Sequence, residues 1–524
     1  MVERMQRHLL KSKLQIILIV FVILVLPVPS LPQTSVNVNL DSWVYGVVER
    51  LASVGLIESD LMNTRPLTRL EVARLTGEAM GLAAERRHGN EPDELTLYLL
   101  ERLKKSFRDE LSSLGIIDDV RAETFIKPVD EIRIRYHLLD RNHAVYNNDG
   151  IRYGDDHNLS LEFSGYSKFS DTLSLYYQPI FEYNQNLDTE ERTEFDLRRG
   201  YVKLTRSNIE FQIGRDSLWW GPGYHGSLLV TNNAKPFDMM KVSNPRPVLL
   251  PWLFRYLGPF RATWFLTKLE KDRVIPEPYL TGLRLDLKPL PILEMGISRT
   301  VMFGGTGREQ LGFGDYVTMF FASQENESDP GKGNNQIASL DFSLRIPGVE
   351  RFLPISRGIR VYGEYGGEDE AGGFFSHEGY VAGVLLEDIF LKEGTNLRIE
   401  YANNHVGTAS NVWYNHDIYQ SGYTYKNSII GHHMGSDAED IFIRATSYLT
   451  ESSIIGIDLD IEERGKSFAF PEKHYQMGID LSYNFTDRME IKGRYGYERV
   501  EDFGFADGEK RNYHLVGLEF QVRF

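Results

Sequence analysis

The segment from Gly214 to Val248, GRDSLWWGPGYHGSLLVTNNAKPFDMMKVSNPRPV, is richer in tryptophan, proline, asparagine and glycine than the sequence on either side. Arg215, Trp219, Trp220, Tyr224, His225, Asn232, Asn233, Lys235 and Arg246 set flat apolar faces beside amide, imidazole and cationic donors. That mixture suits a sugar, whose rings stack on aromatic faces while amides and guanidinium groups reach hydroxyls or carboxylates in pairs. It equally suits a loop that folds inward and uses its tryptophans as core, and the two readings are compatible.

Other chemistry-bearing residues form weaker patterns. His405, His416, His432 and His433 share one long loop, but no pair has i, i+4 helix spacing with a third ligand nearby, so they read as exposed loop histidines and no metal site is expected. Asp458, Asp460 and Glu462 alternate on one face of a strand, as a water-filled interior allows without catalysis. Gly304, Gly305 and Gly307 lack the Gly-Lys-Ser/Thr ending of a phosphate loop and read as a turn, and no Gly-x-Ser-x-Gly elbow occurs. The chain has no cysteine, which excludes disulfides, thiolate metal sites and thiol nucleophiles. Its net charge of -16 argues against a nucleic-acid partner. No catalytic residue and no cofactor is expected.

The elements that would position these residues change character along the chain. Arg4, Arg7, Lys11 and Lys13 precede the apolar run Leu14 to Val28, followed by the small Ser30, which is the order of a secretory signal peptide over residues 1–33. The run is too short to be a spanning helix, and no later stretch is long and apolar enough, so a membrane form of this chain must be a closed barrel. Residues 40–116 read as a small helical domain. Val44, Val47, Val48 and Leu51 follow Asp41 and Ser42 at helical spacing, and Gly55 stands where a C-terminal cap belongs. Thr68 and Glu71 have capping-box spacing behind Leu67, and Gly81 is expected to end that helix. A third helix is expected from Glu94 to Leu114, with Leu100, Leu103, Phe107, Leu111 and Leu114 as its seam. WVYGVVERLASVGLI with RPLTRLEVARL resembles an S-layer homology module, which implies cell-wall contact through Thr68, Arg69 and Glu71 and peptidoglycan as a partner. A three-helix plug or periplasmic cap is the other reading.

From Glu131 to Phe524 the period becomes 2. Val516, Leu518, Phe520, Val522 and Phe524 alternate with Gly517, Glu519, Gln521 and Arg523, and the same register recurs at 338–346, 455–462 and 477–485. Apolar residues on one face and polar or small ones on the other, in segments of about ten residues, predict a transmembrane antiparallel β-barrel of about 18 strands with lipid outside. The fold class is therefore mainly β, a barrel over 131–524 preceded by a small α-helical bundle. The expected strands include 208–214, 258–267 and 315–322, with the whole stretch between 214 and 258 left as one loop. Long connections should follow odd-numbered strands and short ones even-numbered strands, a rule that these boundaries break around strands seven to nine. Phe520, Val522 and Phe524 look like the signal read by the barrel-assembly machinery. The mean hydropathy of -0.33 follows from every second residue of many strands facing water.

GRDSLWWGPG with SLLVTNNAKPFD, then GLRLDLKPLPILEMGISRTVMFGG, NQIASLDF, GYVAGVLLEDI and YNHDIYQSGYTYKNSIIGHHMGSDAED resemble, in this order, the capsule assembly protein Wzi family. The resemblance implies an outer-membrane barrel of eighteen strands with a helical bundle on the periplasmic side. It also implies a lectin-like role in which exported capsular or exopolysaccharide is held rather than synthesised or cut. Outer-membrane lipids would be its other partner, and a porin tethered to the cell wall through the N-terminal module is the alternative. Because the chain is acidic, an anionic polymer would be held by stacking and hydrogen bonds, or by local cations such as Lys235, Lys241 and Arg246.

Overall fold

The computed structural model describes residues 33–86, 92–119, 124–141, 145–187, 190–309, 333–368, 370–371, 374–375, 377–405 and 412–524. The expected signal peptide lies outside these residues except for Gln33.

Eighteen strands close into an antiparallel barrel. The first six are β1 (Phe125–Leu139), β2 (Asp156–Phe169), β3 (Leu173–Leu187), β4 (Glu190–Arg206), β5 (Ile209–Asp216) and β6 (Phe237–Ser243). The next six are β7 (Pro259–Lys268), β8 (Tyr279–Leu290), β9 (Leu293–Phe303), β10 (Asn335–Pro347), β11 (Gly358–Glu368) and β12 (Glu378–Glu387). The last are β13 (Thr395–Asn403), β14 (Ala438–Thr450), β15 (Ser453–Arg464), β16 (Glu472–Thr486), β17 (Met489–Glu501) and β18 (Lys510–Arg523). β1 and β18 close the ring in register from Glu131 opposite Arg523 to Leu139 opposite Leu515.

Alternation sorts the side chains as lipid requires. On β15, Ile457, Leu459 and Ile461 are 46–48% exposed on the outside, whereas Asp458, Asp460 and Glu462 are at most 6% exposed and point inward. Trp252, Leu253, Phe352 and Phe390 stand out from the turns after β6, β10 and β12, the amphipathic position that a headgroup layer favours.

Two strand expectations need correction. The loop expected from 214 to 258 contains β6, which pairs with β5 on one side and β7 on the other. The strand expected at 315–322 lies outside the described residues. With β6 restored, the break around strands seven to nine disappears, although the 15-residue connection 244–258 follows the even-numbered β6 and only two residues separate β3 from β4. The long segments 140–155, 217–236, 304–334 and 404–437 follow β1, β5, β9 and β13, and two-residue turns follow β4, β8, β14 and β16. Phe237 and Met239 of β6 face inward and are buried, while Asp238 faces out, so the polar-in, apolar-out pattern is reversed over the first half of this strand, whereas Lys241 and Ser243 face in and Met240 faces out as usual.

Among the described residues four helices precede the barrel: α1 (Trp43–Ser53), α2 (Arg69–Glu85), α3 (Glu94–Ser106) and α4 (Arg108–Ser113). Ser42 caps α1 through the Val44 N–H, and Thr68 caps α2 through the Glu71 N–H. α2 runs past Gly81 to Glu85. The single third helix expected over 94–114 is instead two, because Phe107 leaves helical geometry (φ -118°, ψ 26°) to bury its ring against the bundle core.

The bundle docks at the end of the barrel that carries the short turns, through ion pairs that are mostly buried. Arg50 of α1 meets Glu387 at 2.8 Å and Asp388 at 2.7 Å. Asp60, in the segment between α1 and α2, lies 2.6 Å from both Lys288 and Arg345 at the ends of β8 and β10. Glu49 of α1 divides its two oxygens between Arg360 and Arg398. Burial by itself raises the Glu49 carboxyl, but those two guanidinium groups outweigh it and hold the group at about 2.

Removing the Asp60 charge strands two buried cations, which costs about 3–5 kcal/mol. Asp60→Asn is therefore expected to make residues 92–119 sensitive to protease while β1 to β18 keep the heat-modifiable gel migration of a folded barrel. A carboxyl depressed in the folded state contributes docking stability that is full above its free value of 4.5 and is lost as pH falls towards about 2. Protease sensitivity of the bundle should thus rise as the pH falls below about 4; a flat response down to pH 2 would exclude this role for Glu49.

Candidate functional site

The lumen is occupied by the protein's own chain. Residues 217–236 and 412–437 fold back between the strands, and their Trp220, Leu228, Leu229, Val230, Trp413, Tyr414, Tyr423, Ile430 and Met434 form one buried cluster with Phe237, Phe265, Leu280 and Ile337 of the wall. Two wall glycines make room for the tryptophans. A Cβ on Gly282 would lie 2.8 Å from the Trp220 ring, and one on Gly379 would lie 2.6 Å from Trp413.

An inserted loop must find partners for its backbone N–H groups, and the inward carboxylates supply them. Glu400 accepts from the N–H groups of Tyr224 (2.8 Å) and His225 (2.9 Å). Glu364 accepts from Leu228 N–H (2.9 Å) and the Ser227 hydroxyl (2.6 Å). Glu368 accepts from Tyr414 N–H (2.6 Å). Glu294 does the same for Met62 and Asn63, in the chain that rises from the helical bundle. That chain meets the plug directly, since Thr64 and Arg65 pair with Trp220 and Trp219 as a two-stranded ladder.

This arrangement separates the residues expected to act together. Trp220 is fully buried core, and Asn233 is spent on the Ile429 carbonyl. Arg246 lies at the helical end, where it donates to Gln33 (2.9 Å), so the expectation of a loop-end sugar contact there is corrected. Lys241 faces the lumen, 3.9 Å from Glu210, and is likewise no surface cation. Trp219, Tyr224, His225 and Asn232 do come together, lining a lumenal cavity of about 410 Å³ with Arg65, Tyr146, Phe442, Arg444, Asp458 and Arg494. Trp219 is only 5% exposed and carries the Arg65 guanidinium over its ring at 5.2 Å, so the expectation of an outward stacking face is corrected there too.

Arg215 and Lys235 line a different space, a groove of about 220 Å³ on the side of the barrel opposite the helices. Arg152, Arg192, Arg198 and Lys426 share it with Glu182, Glu194, Asp196 and the amides Asn184 and Asn427. Arg215 is clamped by Asp238 (2.8 and 2.9 Å) and Asp196 (2.9 Å). Burial pulls the Lys426 ammonium below its usual value, and Arg215 and Lys235 add to the shift against the opposing Asp238 and Asp196. Lys426 lies in the turn between Thr424–Tyr425 and Ser428–Ile429, a hairpin whose composition gave no sign that it would meet Lys235.

The cell-wall residues expected from the helical domain are committed internally. Thr68 caps α2, Arg69 pairs with Glu110 at 2.5 Å beneath the rings of Phe107 and Tyr166, and Glu71 is 1% exposed against Arg74. The loop histidines also depart from expectation, because His432 and His433 are buried.

A closed barrel with an apolar outer face, a lumen filled by its own loops and a cation-bearing groove at the loop end defines a plugged barrel of the outer-membrane type. The chain belongs to the capsule assembly protein Wzi family, whose model matches residues 139–515. An Escherichia coli structure described as Wzi, an outer membrane protein involved in group 1 capsule assembly and a carbohydrate-binding β-barrel, superposes with a TM-score of 0.70 at 20% identity, covering 93% of this chain and 99% of that one. A Klebsiella pneumoniae protein described as an uncharacterized 55.8 kDa protein in the cps region is 27% identical over 248 residues. That match takes in 47% of this chain and 46% of the relative, so the chain spans about half the length of that protein. Pseudomonas aeruginosa OpdQ superposes with a TM-score of 0.46 at 9% identity, over 76% of this chain and 98% of that one.

Trp220→Ala combined with Trp413→Ala removes both rings that anchor the plug to the wall, each costing about 3–5 kcal/mol of packing. In planar bilayers the parent is expected to conduct little and the double variant to show a larger or flickering conductance; equal traces would mean the tryptophans do not hold the lumen shut.

Proposed function

We propose that this chain sits in the outer membrane, with its helices on the periplasmic side, and binds exported capsular or exopolysaccharide, holding it at the cell surface without making or cutting it. Membership of a capsule assembly family supports the class of role. The bundle's position at the short-turn end supports the orientation, because periplasmic turns of such barrels are the short ones. Phe520, Val522 and Phe524 at the end of β18 are the residues we assign to recognition by the barrel-assembly machinery.

The observation that carries the reading is the loop-end groove. Arg215, held rigid by two carboxylates, stands beside Lys235 and Lys426, whose mutual repulsion an anionic group would relieve. Glu182, Glu194, Asn184 and Asn427 offer acceptors and amides for sugar hydroxyls on the other walls. A polymer can lie along such a surface groove, whereas the plugged lumen gives it no path through the barrel. This favours a surface binder over a tethered porin, and the internal commitments of Thr68, Arg69 and Glu71 leave the wall tether without its proposed contacts.

The purified protein in detergent is expected to retain the producing organism's own acidic polysaccharide, more weakly at high salt, and to release no reducing ends from it. Lys235→Ala with Lys426→Ala should weaken binding at least about tenfold, the loss expected when charge-assisted hydrogen bonds are removed. Unchanged binding by the double variant sinks the groove, and absence of binding by the parent sinks the function.

A further inference from the structure

A second cluster of side chains, apart from the groove, gathers where the two inserted loops meet the wall. His225 comes from segment 217–236, His432 and His433 from segment 404–437, and Asp440, Asp460 and Glu462 from the inner faces of β14 and β15. The ligand atoms of His225, His433 and Asp460 all lie within 4.8 Å of one another. His225 Nε2 is 3.2 Å from Asp460 Oδ2 and 3.7 Å from Asp440 Oδ2. His433 Nε2 is 3.6 Å from Asp440 Oδ2 and 3.3 Å from Glu462 Oε1. Bonds of about 2.0–2.2 Å to a tetrahedral ion would set its ligand atoms about 3.3–3.6 Å apart, so these spacings need only small adjustments.

The polar atoms of these side chains point the same way. His433 is 4% exposed, yet neither of its ring nitrogens has a hydrogen-bond partner, and Asp440 Oδ1, Asp460 Oδ1 and Glu462 Oε1 share that condition. Buried polar atoms without partners are rare, and a shared cation is one way to satisfy several at once. The ion pairs found for Asp440 and Asp460 among the described residues are to histidines alone. The rings are also held in place: His225 stacks on Phe442 at 3.9 Å, and His433 lies between Tyr146 at 4.5 Å and His432 at 4.6 Å. His432 Nδ1 accepts the Met434 N–H at 3.3 Å, which leaves its proton on Nε2, the atom facing Asp440 at 3.8 Å. The ligand atoms of His432, His433 and Asp440 also lie within 4.8 Å of one another, so His432 stands at the edge of the same cluster.

We propose that His225, His433 and Asp460, with Asp440 and Glu462 in reach, bind one divalent transition-metal ion of the zinc type, tying both inserted loops to the barrel wall. Mixed imidazole and carboxylate donors suit zinc and its first-row neighbours better than calcium or magnesium, which prefer all-oxygen shells. The proposal is independent of the polysaccharide reading.

Full-length protein stripped with EDTA and then dialysed against Zn²⁺ is expected to retain about one equivalent by elemental analysis and to melt at a higher temperature than the stripped form. His433→Ala should lose at least about tenfold in Zn²⁺ affinity and the thermal shift with it. His433→Gln, closer in size and polar, serves where the alanine variant fails to give a folded, heat-modifiable barrel, and is expected to show the same loss. His405→Ala, whose imidazole pairs with Asp437 at 2.5 Å away from the cluster, should bind Zn²⁺ like the parent. Retention by the parent no greater than by the His433 variants, or an equal loss in His405→Ala, would overturn the assignment.

Discussion

The structure depends on one electrostatic arrangement, in which carboxylates on the inner wall accept hydrogen bonds from the backbone of chain that has been folded into the lumen. A barrel of this girth encloses more space than its own side chains fill. Loops entering that space give up water for their N–H groups, and each orphaned donor would cost more than a typical hydrogen bond returns. Glu294, Glu364, Glu368 and Glu400 meet that requirement for three separate insertions. The acidity of the chain is thus in part the complement of a donor-rich plug, and cationic wall residues such as Arg360 and Lys288 bind the carbonyls and acids that come in with it.

Around this core the molecule has two working ends. At the short-turn end, Asp60, Glu49 and Arg50 fasten the helices to strand termini through buried ion pairs. At the loop end, the same kind of charge is left partly open in a groove, where it is available to a ligand. Between them, Trp220 and Trp413 fit against glycines that keep the wall smooth. Each tryptophan sits where the strand offers no side chain, a fit of shape rather than of hydrophobicity alone.

How much of this was legible in the sequence follows from what each element faces. Strands with water-like surroundings inside and lipid outside alternate clearly, and β15, β16 and β18 read correctly for that reason. β6 is hidden in the alternation because its first two inner residues, Phe237 and Met239, face the apolar plug and invert the pattern there, although Lys241 and Ser243 keep it further on. The plug itself could be weighed only as one of two readings, since a tryptophan suits a sugar and a core equally well. Of the sugar candidates, Arg215 and Lys235 do meet at one groove, but Lys426 joins them through a fold that brings residues nearly two hundred positions apart together. The buried histidines escaped notice for the same reason: His225 and His433 lie far apart in sequence, and their carboxylate neighbours belong to the wall. The break at Phe107 shows the limit of periodicity inside a helix, where an apolar seam continues in register although the backbone turns.

The short ladder between Thr64–Arg65 and Trp219–Trp220 has a mechanical consequence. It joins chain rising from the helical end to chain descending from the loop end, in the middle of the barrel. Together with the Asp60 clasp below it and the Glu400 and Glu364 contacts above it, it forms a tie-rod along the axis, of greater stiffness than either loop alone. Tension applied at the outer rim would be carried down this rod to the helices rather than dissipated in a mobile loop, so the two faces of the barrel cannot be loaded independently.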